Sequence, residues 1–274
     1  MPTVTTTSID VNARGGGIAA SQRKLVEKLR RQVFAMQRHF SLAEHTAWIL
    51  EQSLSDDEDS VAVALGNTYE AHTLKILQTQ LFRLLIVDLF ASVLDKGRTS
   101  GSIRNIVYEL GVEDGYLPAL QAYYADPTAL TVTIEGDDLD DVSVNRLKER
   151  TIARSVEESV RSMDKQWARI KENSDVLYSV GARRIEWARH QATAHLRRTS
   201  SGVVALEDDP PHGEGKLTWD EPIRFLRAIR DYAYDVYALV SATIWVDDHV
   251  KISQFYAAAF WDRLKQGKTE LKLE

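Results

Sequence analysis

From Asp141 to Leu196 the chain carries helical spacing with no proline and with Gly181 as its one glycine. A run of that length cannot be laid out as strands, which are short and punctuated by turns. It is one very long helix, or two joined near Asn173-Ser174. Met163, Trp167, Ile170, Leu177 and Val180 line one face of it. An apolar stripe on so long an element has to be buried against other helices.

The rest of the chain supplies those partners. Leu25, Leu29, Val33 and Met36 make one face of a helix over Ala20 to Arg38. Ser41-Leu-Ala-Glu44 has the form of a capping box and predicts that a new helix starts there. After the acidic loop Ser55 to Ser60, a helix from about Asn67 to Asp95 is apolar on nearly all sides beyond Leu77, as expected in the middle of a bundle. Arg83 and Asp88 inside it need partners, and Asp88, Ser92 and Asp95 share a polar stripe. Two short helices follow, about Ser102 to Leu110 and Asp114 to Ala125. Thr131 to Ile134 alternates weakly, as a short strand does. Thr218-Trp-Asp-Glu221 is a second capping box, with Pro222 in the first turn of a helix running to about Trp245. A last helix covers about Asp247 to Lys265. The expected fold is all-α, a helical bundle with long central helices. Residues 1–19, rich in Thr and Gly, are expected to be a disordered tail ahead of a single helical domain over 20–274.

Composition removes several chemistries. The chain has no cysteine, so disulfides, thiolate metal sites and cysteine nucleophiles are excluded. A net charge of −6 confines any nucleic-acid binding to a local patch. The first residues have no apolar core of the signal-peptide kind. The most apolar run, Leu81 to Leu94, contains Arg83 and Asp88 and is short for a membrane span. The cytoplasm is the expected compartment, with no membrane partner.

The residues that carry chemistry lie at the end of the long helical run, in Gly181 to Leu196. Tyr178, Gly181, Ile185, Ala188, Ala192 and His195 fall on one seam, small enough in places for a partner backbone to approach closely. His195 stands where an apolar residue is expected. Arg189, six residues earlier, is about 120° round and about 9 Å down an ideal helix, within reach of a long guanidinium. Arg, five residues, His is a weak pattern in a chain with 7 histidines. Arg184 with His190, Arg183 with His190 and Arg38 with His45 lie at similar spacings. Context separates Arg189 and His195 from these: the string RHQATAH closes a helix and leads through a loop to the capped start LTWDE.

In that context RHQATAH resembles the HEPN superfamily (higher eukaryotes and prokaryotes nucleotide-binding), and most closely its AbiU-type abortive-infection branch. The resemblance covers about Asn67 to Asp95 and Asp175 to Ser241. The segment 127–173 is longer than usual there, and reads as a family-atypical insertion. The resemblance implies a helical bundle that dimerises through the motif helix. It also implies a metal-independent ribonuclease centre where two motifs meet, in a toxin or phage-defence effector that an antitoxin or inhibitor protein restrains. Carried over by position, Arg189 is the motif arginine, His190 its polar neighbour and His195 the motif histidine.

The same chemistry follows from the side chains. Cleavage of RNA by its own 2′-OH needs a base near neutral pH, an acid for the 5′-oxygen and a cation for the pentavalent phosphorus. Histidine suits the first two roles and arginine the third. One His195 cannot be both base and acid, whereas two copies across a two-fold axis can. Arg183, Arg184, Arg197 and Arg198 form the expected RNA-binding footprint. The alternatives are a core histidine bonded to a backbone carbonyl, a solvated arginine face, and Trp187 as core, together making a non-catalytic dimerisation or partner-binding module. No cofactor is expected. His190 and His195 lack the four-apart spacing of a helical zinc pair, so no metal is expected either. His39, His45, His72, His212 and His249 show no ligand-like partners in the sequence.

Overall fold

The structure is a computed structural model that describes residues 4–10, 13–54, 69–97, 100–112, 115–135, 140–195, 217–245, 254–256, 258–259 and 261–263. For 191–195 it describes the helical backbone and not the side chains. The described chain is all-α apart from one two-stranded sheet. Its helices are α1 (Ala20–Ser53), α2 (Tyr69–Leu89), α3 (Ile103–Gly111), α4 (Tyr116–Ala125), α5 (Asp141–Glu172), α6 (Val180–His195) and α7 (Glu221–Ser241). Residues of 254–263 are also helical. The long run breaks at Asn173, where a 3-10 turn, Ser174–Tyr178, joins α5 to α6. The chain forms two compact units, and α1, α3 and α7 contribute residues to both.

The first unit holds α4, α5 and the sheet. Here the expected disordered tail is corrected. Val4–Ile9 is a strand, β1, paired antiparallel with β2 (Leu130–Glu135) from Val4 opposite Glu135 to Ile9 opposite Leu130. The Thr-rich segment VTTTSI lacks a core pattern, but β-branched residues favour extended backbone once an edge is offered. The glycines behind it are docked as well. Asp126, 5% exposed, accepts hydrogen bonds from the Gly15 N–H (2.7 Å), the Gly17 N–H (3.1 Å) and the Thr128 hydroxyl (2.7 Å). A Cβ on Gly17 would lie 2.6 Å from the Asp126 carboxylate, so only glycine fits. Met163, Trp167 and Ile170 of α5 are buried as the spacing predicted. Burial pushes the Tyr124 hydroxyl up to about 12, and it donates to the Leu239 carbonyl at 2.9 Å.

The second unit holds α2, α6 and most of α7. Helix α1 is continuous through Ser41, so no new helix starts there. Glu44, expected to complete a cap, is instead buried and takes the Arg230 guanidinium at 2.7 Å. Glu51 takes Arg227 at the surface, at 2.6 Å. Half of the capping box at Thr218 forms: the Glu221 carboxylate accepts from the Thr218 N–H at 2.8 Å, while the Thr218 hydroxyl bonds the Asp220 carboxylate instead. Leu74, Phe82, Leu85, Ile86 and Leu89 of α2 are core. The helical stretch His72–Leu94 is longer than the run judged from Leu81 onward, and is long and apolar enough to cross a membrane by length and composition. Its last turn, Phe90–Leu94, is π-helical. Asp88 finds its partner in His39, at 3.0 Å, a pairing the sequence did not suggest.

Candidate active site

Helix α6 starts after a 3-10 turn and packs against α2 and the π turn. The seam on α6 decides what this packing excludes. Ile185 and Ala188 are buried, and a Cβ on Gly181 would lie 3.3 Å from the Phe225 ring of α7. The small residues therefore admit a helix of the same chain. Those members of the seam are not free to meet a second copy, as the spacing alone suggested. Tyr178 and Val180, read as seam and core, are 58% and 48% exposed, because the 3-10 turn shifts the helical phase ahead of Val180.

The motif arginine and its neighbour sit together on one aromatic ring. The Arg189 guanidinium lies 4.6 Å over the Phe90 ring, a cation–π distance. The His190 ring meets Phe90 edge-on, with centroids 6.1 Å apart. His190 is exposed and Arg189 half-buried. Phe90 opens the π turn, which inserts one residue into the helical ladder and so resets the direction of the side chains that follow. His195 ends α6 on the same helix, six residues beyond Arg189. Its side chain lies outside the described residues, as does that of Ala192.

Beneath this platform a buried cation ties three elements. Arg104, 6% exposed, donates to the Leu94 carbonyl (3.3 Å), to the Leu177 carbonyl and to Glu186 (3.2 Å). Its guanidinium also lies 5.1 Å from the Tyr178 ring. The π turn, the 3-10 turn and α6 are thereby held by one fork. Lys96 completes the cluster at 2.9 Å from Glu186. Burial pushes the Glu186 carboxyl up, but the hydrogen bonds from Lys96 and Arg104 outweigh that and hold it below its usual range. Glu186 thus remains an acceptor, one turn before Arg189.

The expected RNA-binding arginines separate. Arg183 is exposed and donates to the Tyr178 carbonyl at 3.1 Å. Arg184 is paired with Glu221, both largely buried, so its charge is neutralised within the unit. Arg197 and Arg198 lie outside the described residues. Trp187 is half-buried. Among the described residues no cluster of three or more His, Asp or Glu side chains is placed to hold a metal ion. Sequence reading missed Phe90 and Arg104. Phe90 reads as one more apolar residue of a core helix, and Arg104 as a surface cation of a short one.

Compared with known proteins, residues 20–260 match the family described as AbiU2, of the HEPN group. The matched span runs through 127–173, which the resemblance read from the motif did not cover. No curated protein and no solved structure matches the chain.

Proposed function

The chain belongs to the AbiU2 family of HEPN proteins, and from that premise we propose that it is a metal-independent endoribonuclease acting in abortive infection. The observation that carries the reading is the pairing of Arg189 and His190 on Phe90, at the end of a helix that closes on His195. An aromatic face under a guanidinium fixes its orientation, and the planar fork of an arginine suits a phosphate. In this reading Arg189 stabilises the negative charge developing at phosphorus. His195 moves the proton of the attacking 2′-OH, and the partner subunit's copy protonates the 5′-oxygen. His190 positions the phosphate. The site needs no cofactor, acts on RNA in the cytoplasm, and is restrained by an antitoxin or inhibitor protein.

The second histidine requires a homodimer. The seam of α6 from Gly181 to Ala188 is occupied from within, so this reading places the contact on a face that stays exposed. Ile76, Leu77, Leu84 and Val87 of α2 are 64%, 37%, 53% and 42% exposed. They lie within about 100° of arc on the helix. This arc runs up to Phe90, beside the motif. The same face favours a second reading, in which the chain is a non-catalytic dimerisation or partner-binding module. Incubating the purified protein with RNA in EDTA separates the two. Cleavage leaving 2′,3′-cyclic phosphate and 5′-hydroxyl ends supports the enzyme, and intact RNA supports the module.

A further inference from the structure

The strand β1 has a partner on one side. Among the described residues it pairs with β2 and with no other strand, and each of its 6 residues is exposed. In an antiparallel pair the N–H and C=O of one residue point to the same side, and that side alternates along the strand. The Asp10 N–H donates to the Ala129 carbonyl at 2.8 Å, in register with the pairs before it. Asp10, Ser8, Thr6 and Val4 therefore turn their backbone groups toward β2. Leu130, opposite Ile9, agrees with that phase, because its N–H bonds back to the Pro127 carbonyl. Thr5, Thr7 and Ile9 turn their groups outward, and no backbone hydrogen bond reaches them among the described residues.

A row of outward donors and acceptors is a template for another strand, and edges that avoid such pairing carry Lys, Pro or a bulge. The segment VTTTSI has no charge and no proline, and its register runs without a bulge. Its side chains extend the match. Residues opposite each other share a face, so Thr5, Thr7 and Ile9 lie on the face of Ile134, Val132 and Leu130. On β2 this is the buried face: Val132 is 8% exposed, while Thr131 and Thr133 are exposed. On β1 the same face runs out into solvent, where Ile9 is 50% exposed.

We propose that β1 pairs antiparallel with the β1 of a second copy of this chain, across a two-fold axis at Thr7. In that register Thr7 stands opposite the partner's Thr7, and Thr5 opposite the partner's Ile9. Every outward N–H of one copy then meets an outward C=O of the other, and none is left over. A slip of two residues either way leaves the groups of Thr5 or of Ile9 without a match inside the strand. The pairs made are Thr with Thr, Thr with Ser and Thr with Ile, all suited to neighbours across strands, and the lack of charge avoids like charges directly opposite. This self-complementarity favours a second copy over a foreign strand. Two strands of 6 residues bury far less than the roughly 1,200–2,000 Å² of a stable interface, so the contact forms at submillimolar and not at micromolar concentration. It is separate from the arc on α2 and does not rest on the ribonuclease reading. Two isologous contacts on one chain link copies beyond a dimer.

The chain has no cysteine, so one introduced cysteine is a unique label. In the full chain at submillimolar concentration, Thr7→Cys should form a covalent dimer with a short thiol cross-linker, because opposite Cβ atoms lie about 4.5–5.5 Å apart. Thr5→Cys alone and Ile9→Cys alone should not, since each lies about 13 Å along the strand from its own counterpart. An equal mixture of Thr5→Cys and Ile9→Cys should cross-link again. Thr7→Pro removes an outward N–H and spares the bonds to β2. Sedimentation of Leu84→Arg, which lacks the α2 contact, should still show mass rising with concentration, and Leu84→Arg with Thr7→Pro should not, at a similar thermal midpoint. Thr7→Cys that fails to cross-link, or Thr5→Cys that joins to itself as well as Thr7→Cys does, would overturn the proposal. So would cross-linking of Thr7→Cys in cell extract to a different protein and not to a second copy, which would make the edge a site for a foreign strand.

Discussion

Arg189 and Phe90 face each other at 4.6 Å, the guanidinium over the ring, and this contact joins the motif helix to the π turn that ends α2. If the ring sets the aim of the arginine, Phe90→Leu should lower kcat on RNA about tenfold, within the range of a partly desolvated cation–π contact. KM should move less. Phe90→Tyr should restore the rate, because the aromatic face is kept. Single-turnover cleavage assays at saturating enzyme check the split, and equal losses for leucine and tyrosine would leave Phe90 as packing alone.

Arg104 is the buried counterpart of that platform. Arg104→Ala would leave the Leu94 and Leu177 carbonyls and one Glu186 oxygen without the donors they now have. A buried carboxylate that loses its partner typically costs about 3–5 kcal/mol. Lys96, still beside Glu186, should hold the loss to the lower end of that range. Arg104→Lys should recover only part of it, since an ammonium cannot span three acceptors as the fork does. Urea unfolding of the variants measures both.

The distance between these residues and the sequence explains what could be read early. The helical run of α5 and α6 and the helix start after Thr218 were legible because local spacing and capping chemistry decide them, whereas the break at Asn173 was one of two readings the spacing left open. Ser41-Leu-Ala-Glu44 misled because the partner that fixes Glu44 is Arg230, far along the chain, and an ion pair won over a local cap. The strand Val4–Ile9 was illegible for the same reason, its pairing with Leu130–Glu135 being wholly non-local. The motif Arg189, His190 and His195 could be named from its string and its helix end. Phe90 could not, because nothing in the spacing of α2 announces a π turn.

Asp126 makes the first unit sensitive to acid. Its carboxyl is pushed up by burial, but the bonds from the Thr128 N–H and hydroxyl and from Gly17 and Gly15 outweigh that and lower it below its usual 3.8. A group lowered in the folded state contributes stability above its unfolded value. That contribution should be lost as the pH falls below 3.8 and through the folded value. Asp126→Asn should remove it at neutral pH too, by about 2–4 kcal/mol for several charge-assisted bonds, and flatten the acid limb. Thermal melts of wild type and variant between neutral pH and pH about 3 give the comparison. Amide exchange at Gly15 and Gly17 should rise in Asp126→Asn.

The arc of Ile76, Leu84 and Val87 is testable as an interface, since a charge there cannot be buried unpaired. Leu84→Arg should convert a dimer to a monomer at micromolar concentration in light scattering, with helix content by circular dichroism unchanged. Ribonuclease activity should fall with it, because a monomer holds one His195. A dimer that survives the substitution would move the contact to another face.

The motif itself gives the last ranking. In the proposed mechanism His195→Ala removes the group that moves the proton, and should cost about 10² to 10⁴-fold in rate. Arg189→Lys should also be weak, because an ammonium keeps the charge and loses both the bidentate grip on phosphate and the flat contact with Phe90. His190→Ala should cost least, since its exposed ring meets Phe90 only at the edge. Mixing wild-type with His195→Ala subunits then asks whether two motifs share one centre. If one centre uses both histidines, these heterodimers should be nearly as weak as the His195→Ala parent, whereas about half the wild-type rate per dimer would remain if each chain acted alone. An RNA with 2′-deoxyribose at the cut site removes the nucleophile and should resist cleavage altogether. If it is cut as fast as the ribose form, the attacking group is water and the 2′-OH mechanism is wrong, whichever residues the other variants implicate.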